Sequence, residues 1–90
     1  ASASPAGWRP DMSPTVFRQG RYRFYFYSRE EPRRHVHVQS PDGEAKFWLE
    51  PAIALAQNAG LSARELRAVQ PLIEERADEL HIAWNRHFGP

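Results

Sequence analysis

Apolar and polar residues alternate along the first half of the chain with the period of two that is typical of β-strands. The alternation is clearest at residues 22–27, where five of the six side chains are aromatic. The spacing separates an apolar set, Tyr22, Phe24 and Phe26, from a set with polar tips on the opposite face. We predict four strands in this half, at residues 15–18, 22–27, 35–39 and 44–49.

The second half repeats apolar residues at spacings of three, four or seven, which predicts a long amphipathic helix. Ser62 and Glu65 have the spacing of a capping box that would start this helix. Pro71 lies inside the pattern and removes a backbone donor, so we expect a kink or break near residues 69–70. The apolar stripe consists of Leu66, Val69, Ile73, Leu80, Trp84 and Phe88.

A shorter helix is predicted at residues 52–58, with Pro51 at its first position and Gly60 beyond its end. Strands followed by helices indicate an α+β domain. We expect a small antiparallel sheet of three to four strands, packed on a long, kinked C-terminal helix plus one short helix. The domain is assigned to residues 13–90. Residues 1–12, rich in Ala, Ser, Pro and Gly, are expected to be an extension that is disordered or artificial.

Composition narrows the classes of function. The 90 residues include no cysteine, so neither a disulfide nor a thiolate metal site is available. Twelve basic residues against 11 acidic ones give a net charge of +1, which does not by itself indicate a nucleic-acid partner. The lack of cysteine favours a cytoplasmic protein. The chain has no apolar run near the length of a membrane span, and its N-terminus lacks a signal-peptide core.

The predicted hairpin over residues 35–49 brings several reactive side chains together, and its turn at residues 40–43 allows two registers. A two-residue loop pairs His37 with Lys46 and His35 with Trp48, leaving the two neighbouring valines on the core face. A bulged turn shifts the pairing by one, and the histidines then share a face with apolar residues. The buried pattern favours the first register, whereas the Pro-Asp-Gly turn favours the second.

The first register would place one set of polar and aromatic residues on an open sheet face. Aromatic rings can stack on bases, and cations between them can contact phosphates. Histidine can exchange a proton near neutral pH, and lysine can stabilise charge on a phosphate. The candidate catalytic residues are therefore His35, His37 and Lys46. The face as a whole comprises Arg23, Tyr25, Tyr27, His35, His37, Gln39, Glu44, Lys46 and Trp48.

Other interpretations of this face remain open. The cross-strand pairs could simply stabilise a half-exposed sheet. The histidines could hold a metal with Glu44, but their spacing is more typical of structural histidines, and we predict no metal or cofactor. The candidate nucleic-acid contacts on and around the sheet are Arg18, Arg23, Tyr25, Arg34 and Trp48.

A second candidate site lies at residues 54–69. Two helices joined by a turn containing Gly60 resemble a helix-turn-helix, in which Arg64 and Arg67 would contact DNA. Any two helices joined by such a turn would give the same pattern. The alternative function is therefore a non-catalytic DNA-binding or protein-interaction module, with an exposed strand edge available to another chain or to a homo-oligomer.

Several segments together carry a resemblance to a known family. They are residues 14–18 and 22–27, His35-Val36-His37-Val38, Glu44-Ala45-Lys46-Phe47-Trp48-Leu49, residues 60–66, Ala83-Trp84 and His87-Phe88. Together they resemble the small prokaryotic family known as domain of unknown function 4160. The similarity covers residues 13–89, with two departures: Pro71 inside the helix, and the basic pair Arg33 and Arg34 before the histidines.

The resemblance implies a function that the residues alone do not. Members look like components of bacterial toxin–antitoxin pairs and are commonly encoded beside a small protein of the family numbered 2442, which would be the antitoxin. This chain would then be the toxin-like component, acting on nucleic acid or its machinery. The resemblance supplies no catalytic mechanism, so a ribonuclease-like activity stays an open question.

Overall fold

The residues that the structure describes form a five-stranded antiparallel sheet followed by two helices, which confirms the α+β class. The predicted count of three to four strands is wrong, because β5 adds a strand. This computed structural model describes residues 15–27 and 32–89. Each strand pairs with the next along the chain. The elements are β1 (Thr15–Gln19), β2 (Tyr22–Tyr25), β3 (His35–Ser40), β4 (Gly43–Trp48), β5 (Ala54–Ala59), α1 (Ala63–Glu75) and α2 (Ala77–Phe88).

The prediction for the extension at residues 1–12 concerns residues outside these ranges. Neither helix in the described part of the chain is long and apolar enough to cross a membrane.

The hairpin of β3 and β4 has the first of the two predicted registers. His37 pairs with Lys46, and Ser40 pairs with Gly43 across a two-residue loop. The valines on either side of His37 are fully buried in the core as a result. The buried pattern therefore determines the register, as expected for a sheet with one covered face.

Strand β5 stands where a short helix was predicted, so that prediction is wrong. Its residues pair with β4, for example Gln57 with Lys46 and Ala54 with Trp48. Alanine and glutamine favour helices in isolation, but the backbone groups along the open edge of β4 need partners, and this pairing overrides the local preference. Without a first helix, the predicted helix-turn-helix is absent from the described residues.

The β3–β4 turn packs against the end of β5 so closely that both contact points require glycine. A Cβ atom on Gly43 would lie 2.2 Å from the carbonyl oxygen of Ala59. Gly60 has a φ of +105° and would bring a Cβ to 2.6 Å from the carbonyl oxygen of Asp42. Glycine has no Cβ atom to clash at either position, and it readily adopts the positive φ found at Gly60. The two glycines therefore allow β5 to pack closely beside the hairpin.

The predicted long helix is two helices separated at Arg76, so the expected break near residues 69–70 is wrong. Pro71 lies inside α1, which continues to Glu75. The Arg76 N–H then reaches the carbonyls of both Leu72 and Ile73. The break lets the apolar stripes of both helices lie on the same short sheet. The buried apolar core consists of Phe17, Phe24, Phe26, Val36, Val38, Ala45, Phe47, Leu49, Leu61, Val69, Ile73, Leu80 and Trp84.

The predicted capping box at the start of α1 is confirmed. The Glu65 backbone N–H donates to the Ser62 hydroxyl at 3.1 Å, and the Ser62 N–H donates to the Glu65 carboxylate at 3.1 Å. The other Glu65 oxygen accepts from the Ser40 hydroxyl at 3.2 Å, which ties the helix to the end of β3.

We expect Ser62→Ala to lower the free energy of unfolding by about 1 kcal/mol, because it removes the acceptor for one N–H of the first turn. Ser62 is exposed, so the change leaves no cavity. Urea unfolding measures the effect, with Ser62→Thr as the control that keeps a capping hydroxyl. An alanine variant as stable as the unmodified protein would contradict this role.

Candidate functional site

The pairing of the strands arranges most of the predicted site residues in rows on the sheet face opposite the apolar core. Sequential neighbours of these residues, such as Phe24, Val38 and Phe47, point into the core. We call this surface the outer face and include Tyr27, which follows β2. Its three rows are Arg18, Arg23, Gln39 and Glu44; Tyr25, His37, Lys46 and Gln57; and His35 and Trp48.

Both histidines are buried, so the prediction that this face leaves them open is wrong. His35 is 0% exposed and His37 is 7% exposed. The His35 ring packs against Trp48 and, from helix α2, against Trp84, with ring centroids 5.8 and 5.3 Å away. A tryptophan from a distant helix therefore covers this end of the row.

A hydrogen bond fixes the orientation of the His35 ring. Its Nδ1 lies 2.6 Å from the carbonyl oxygen of Arg33. A carbonyl oxygen can only accept, so Nδ1 carries a proton. With no exposed surface, His35 is placed to support its neighbours, and the His37 ring lies 5.2 Å away.

His37 lies between two tyrosines. Its ring stacks on Tyr25 at 5.4 Å and meets the edge of Tyr27 at 4.3 Å. Its cross-strand neighbour is Lys46. Of the two candidate catalytic histidines, His37 is the one with surface remaining and the one placed beside a cation.

A polar cavity of about 520 Å³ opens beside this row. The Tyr27 hydroxyl donates to a Glu44 oxygen at 3.3 Å along its wall. The cavity thus combines a carboxylate, an ammonium group and side-chain amides. Its lining residues are Tyr27, His37, Glu44, Ala45, Lys46, Gln57, Asn58 and Ala59.

Tyr25 is 3% exposed, which leaves little ring surface for stacking on a base. Burial raises the pKa of its hydroxyl well above the usual value, with a further contribution from hydrogen bonding to Tyr27. The Arg23 guanidinium lies over the ring, 4.3 Å from its centroid. Tyr25 therefore acts as a neutral support that positions Arg23 and His37.

Trp48 lies beneath two cations. The Arg33 guanidinium carbon is 4.0 Å from a ring centroid and the Lys46 ammonium is 4.6 Å from it. The Arg33 Nε also donates to the carbonyl of Glu50 at 3.0 Å, which holds the loop in place. Such cation–π contacts position charge without neutralising it.

Arg33 and Gln57 belong to the site but were not among its predicted residues. Arg33 belongs to a loop whose partner could not be read from spacing, and only the cross-strand position of Trp48 brings the two together. Gln57 was assigned to a helix, and its pairing with Lys46 follows from the existence of β5. The alternating pattern of the hairpin carried no signal for either residue.

Three predicted nucleic-acid contacts lie away from the outer face. Arg34 is half-buried and bonds to the Nδ1 of His81 at 3.0 Å and to the amide oxygen of Asn85. A guanidinium only donates, so His81 Nδ1 accepts, and this pair joins the start of β3 to α2. Arg64 and Arg67 are exposed on α1.

A metal site was one interpretation of the two histidines. Within residues 15–27 and 32–89, no group of three or more histidine, aspartate or glutamate side chains is arranged to hold a metal ion. The Glu44 carboxylate, the third ligand considered, instead accepts a hydrogen bond from Tyr27.

Fold and site together define a small α+β domain with an aromatic and basic sheet face. The family model described as Domain of unknown function (DUF4160) matches residues 22–85, and the chain belongs to this family. No curated protein and no solved structure matches the chain. The predicted family is thereby confirmed, and its description names no activity.

The raised pKa of Tyr25 predicts a loss of stability in alkali. The folded state keeps a proton that the unfolded chain releases near the ordinary tyrosine pKa of 10.0, so this contribution is intact below that pH and is lost as the pH rises above it. Tyr25→Phe should show a smaller fall in the free energy of unfolding between about pH 8 and pH 11. Urea unfolding at both pH values measures it.

Tyr22→Phe is the matched control, because Tyr22 is a partly exposed tyrosine at the other end of the same strand. Its stability should fall with pH as steeply as that of the unmodified protein. Equal pH dependence in the Tyr25 and Tyr22 variants would contradict the assignment of the effect to Tyr25.

Proposed function

We propose that this chain is the toxin-like component of a bacterial toxin–antitoxin module and acts by binding single-stranded nucleic acid through the outer face. One observation carries the proposal: a continuous strand pairing gathers cations, aromatic rings and a polar cavity on one face of the sheet. Proteins that bind single strands combine such groups, because cations follow the backbone and rings stack on the bases.

The exposed groups suggest how a single strand would lie on this face. Arg33 and Lys46 are held over Trp48 and meet an approaching polyanion first. Tyr27 is exposed and offers a ring beside the polar cavity, where a base can stack. A flexible single strand can place phosphates and bases on these groups in turn, whereas the bases of a duplex stay stacked inside.

His37 and Lys46 are the groups we propose for any chemical step. They face each other across the hairpin and both line the polar cavity. His37 would carry the proton and Lys46 would stabilise charge on the phosphate. His35, which has no exposed surface, would position His37. An RNA-cleavage assay separates this activity from binding alone.

We expect Lys46→Gln to weaken binding of a single-stranded RNA of about 12 nucleotides by roughly tenfold, since a hydrogen bond to a charged group contributes about 1.5 kcal/mol. The slope of log affinity against log salt should fall by about 0.7. Fluorescence anisotropy measures both. Expression of the unmodified protein should arrest bacterial growth, and the variant should arrest it less.

Arg67→Gln is the matched control, because it removes one positive charge from exposed helix α1 on the other side of the core. It should retain both RNA affinity and growth arrest. Failure of the unmodified protein to bind any single-stranded RNA, or equal affinities in the two variants, would argue against the proposed interface.

A second candidate function, protein interaction, is favoured by the edge strand β5. Its six residues include no charge and no proline, and Leu55 is 44% exposed. Edge strands without such protection readily pair with another chain. Both edge strands have an irregularity in their pairing, but the other edge, β1, also carries a charge, Arg18. We propose β5 as the surface that pairs with an extended segment of the antitoxin from the family numbered 2442.

Leu55→Lys should therefore abolish copurification of the coexpressed antitoxin while RNA binding is retained, because a lysine on an edge strand opposes pairing with a further strand. Gln19→Lys, which places the same charge on the exposed edge strand β1, is the control and should leave copurification intact. Copurification that survives Leu55→Lys would exclude β5 as the antitoxin surface.

A further inference from the structure

Two arginines face each other directly across β1 and β2. Arg18 pairs with Arg23 in the strand register, so both side chains leave the same face of the sheet. Like charges directly opposite in an antiparallel pair destabilise it. An anion bound between Arg18 and Arg23 would relieve this repulsion.

The arginine pair borders a cavity of about 290 Å³ at the end of the outer face. Gln39, Ser40 and Arg21 form other parts of its wall. The cavity lies at the row of Arg23 and Gln39, one row along the sheet from His37 and Lys46. The residues that line it differ from all of those that line the polar cavity of the proposed interface.

Arg23 is held in place at several points. Its Nε donates to the Thr15 hydroxyl at 2.6 Å, and its Nη1 donates to the Gln39 side-chain oxygen at 3.4 Å. The ring of Tyr25 supports the guanidinium from below at 4.3 Å. A guanidinium that is already positioned loses less conformational entropy when it binds an anion.

The other two arginines of the cavity have different surroundings. Arg21 lies 2.9 Å from an Asp42 carboxylate oxygen and 4.0 Å from one of Glu65, so acidic partners balance its charge. Arg18 is exposed, and within the described ranges 15–27 and 32–89 no hydrogen bond or ion pair engages its guanidinium. Arg18 is thus an exposed cation beside the positioned Arg23.

We propose that Arg18 and Arg23 form an oxyanion subsite that binds a phosphate group. The planar guanidinium forks match the geometry of phosphate oxygens, and the two facing forks can grip one phosphate from two sides. The subsite itself depends only on this geometry. Its assignment to a phosphate of a nucleic-acid strand rests on the proposed function.

The first test uses inorganic phosphate as the probe, with chloride at the same ionic strength as the reference. Phosphate should raise the melting temperature of the unmodified protein and shift the NMR signal of the Arg23 Nε–H. Arg18→Gln should melt at a higher temperature than the unmodified protein in chloride, because the repulsion is gone, and should lose the response to phosphate. Because Arg18 is exposed, this variant is expected to fold.

Arg64→Gln is the matched control, since it removes one exposed arginine charge from helix α1. It should respond to phosphate as the unmodified protein does. A phosphate response that persists in Arg18→Gln, or that is lost equally in Arg64→Gln, would overturn the subsite.

The second test compares oligonucleotides of one sequence with a 5′-phosphate, a 3′-phosphate or hydroxyl ends. Arg18→Gln should lower the salt slope by about 0.7 for each strand whose phosphate occupies the subsite. An effect on all three assigns a backbone phosphate, and an effect on one phosphorylated strand assigns that end. Oligonucleotide binding with no dependence on Arg18 would overturn the assignment to nucleic acid. A phosphate response without any oligonucleotide binding would overturn the proposed function and leave the subsite standing.

Discussion

The register of the β3–β4 hairpin is the constraint on which the rest of this structure depends. A slip of one residue would exchange the two faces of β3, moving Val36 and Val38 out of the core and His37 into it. Full burial of each of these valine side chains stabilises the folded state by about 1.5–3 kcal/mol. This free energy outweighs the preference of the turn sequence for a bulge. The close packing of Gly43 against Ala59 adds a steric lock, because a shifted turn would no longer bring its glycine to β5.

The same turn joins the sheet to the helices. The Asp42 backbone N–H donates to the Ser40 hydroxyl, which in turn donates to the buried carboxylate of Glu65. The backbone N–H of Ser62 lowers the pKa of Glu65, so this side chain stays charged and attracts Arg21. Glu65 therefore links the hairpin, the start of α1 and Arg21 at the edge of the arginine cavity. The position of this cavity thus depends on how the sheet and helix pack together.

The sequence pattern predicted those parts of the fold that depend on contacts between residues close in the chain. Alternation favoured the observed hairpin register over the one that the turn sequence favours, and the spacing of Ser62 and Glu65 predicted the cap, because each depends on residues close in sequence. The strand at Ala54–Ala59 was missed because its stability comes from the open edge of β4. The burial of His35 was missed for the same kind of reason, since Trp84, 49 positions along the chain, supplies the cover.

The outer face has a lower layer of buried rings and an upper layer of cations. Which layer a ligand meets first affects the kind of ligand that the face can bind. Buried rings, Tyr25 and His37, lie against the sheet, while Arg23 and Lys46 extend over Tyr25 and Trp48. Over Tyr25 and Trp48, a ligand therefore meets positive charge before it meets an aromatic surface. In the nucleic-acid binding that we propose, such a face would favour polyanions over a particular sequence, since phosphate contacts position a strand without reading its bases. Any preference for sequence would have to come from the polar cavity beside Tyr27, where a carboxylate and amides can hydrogen-bond the edge of a base.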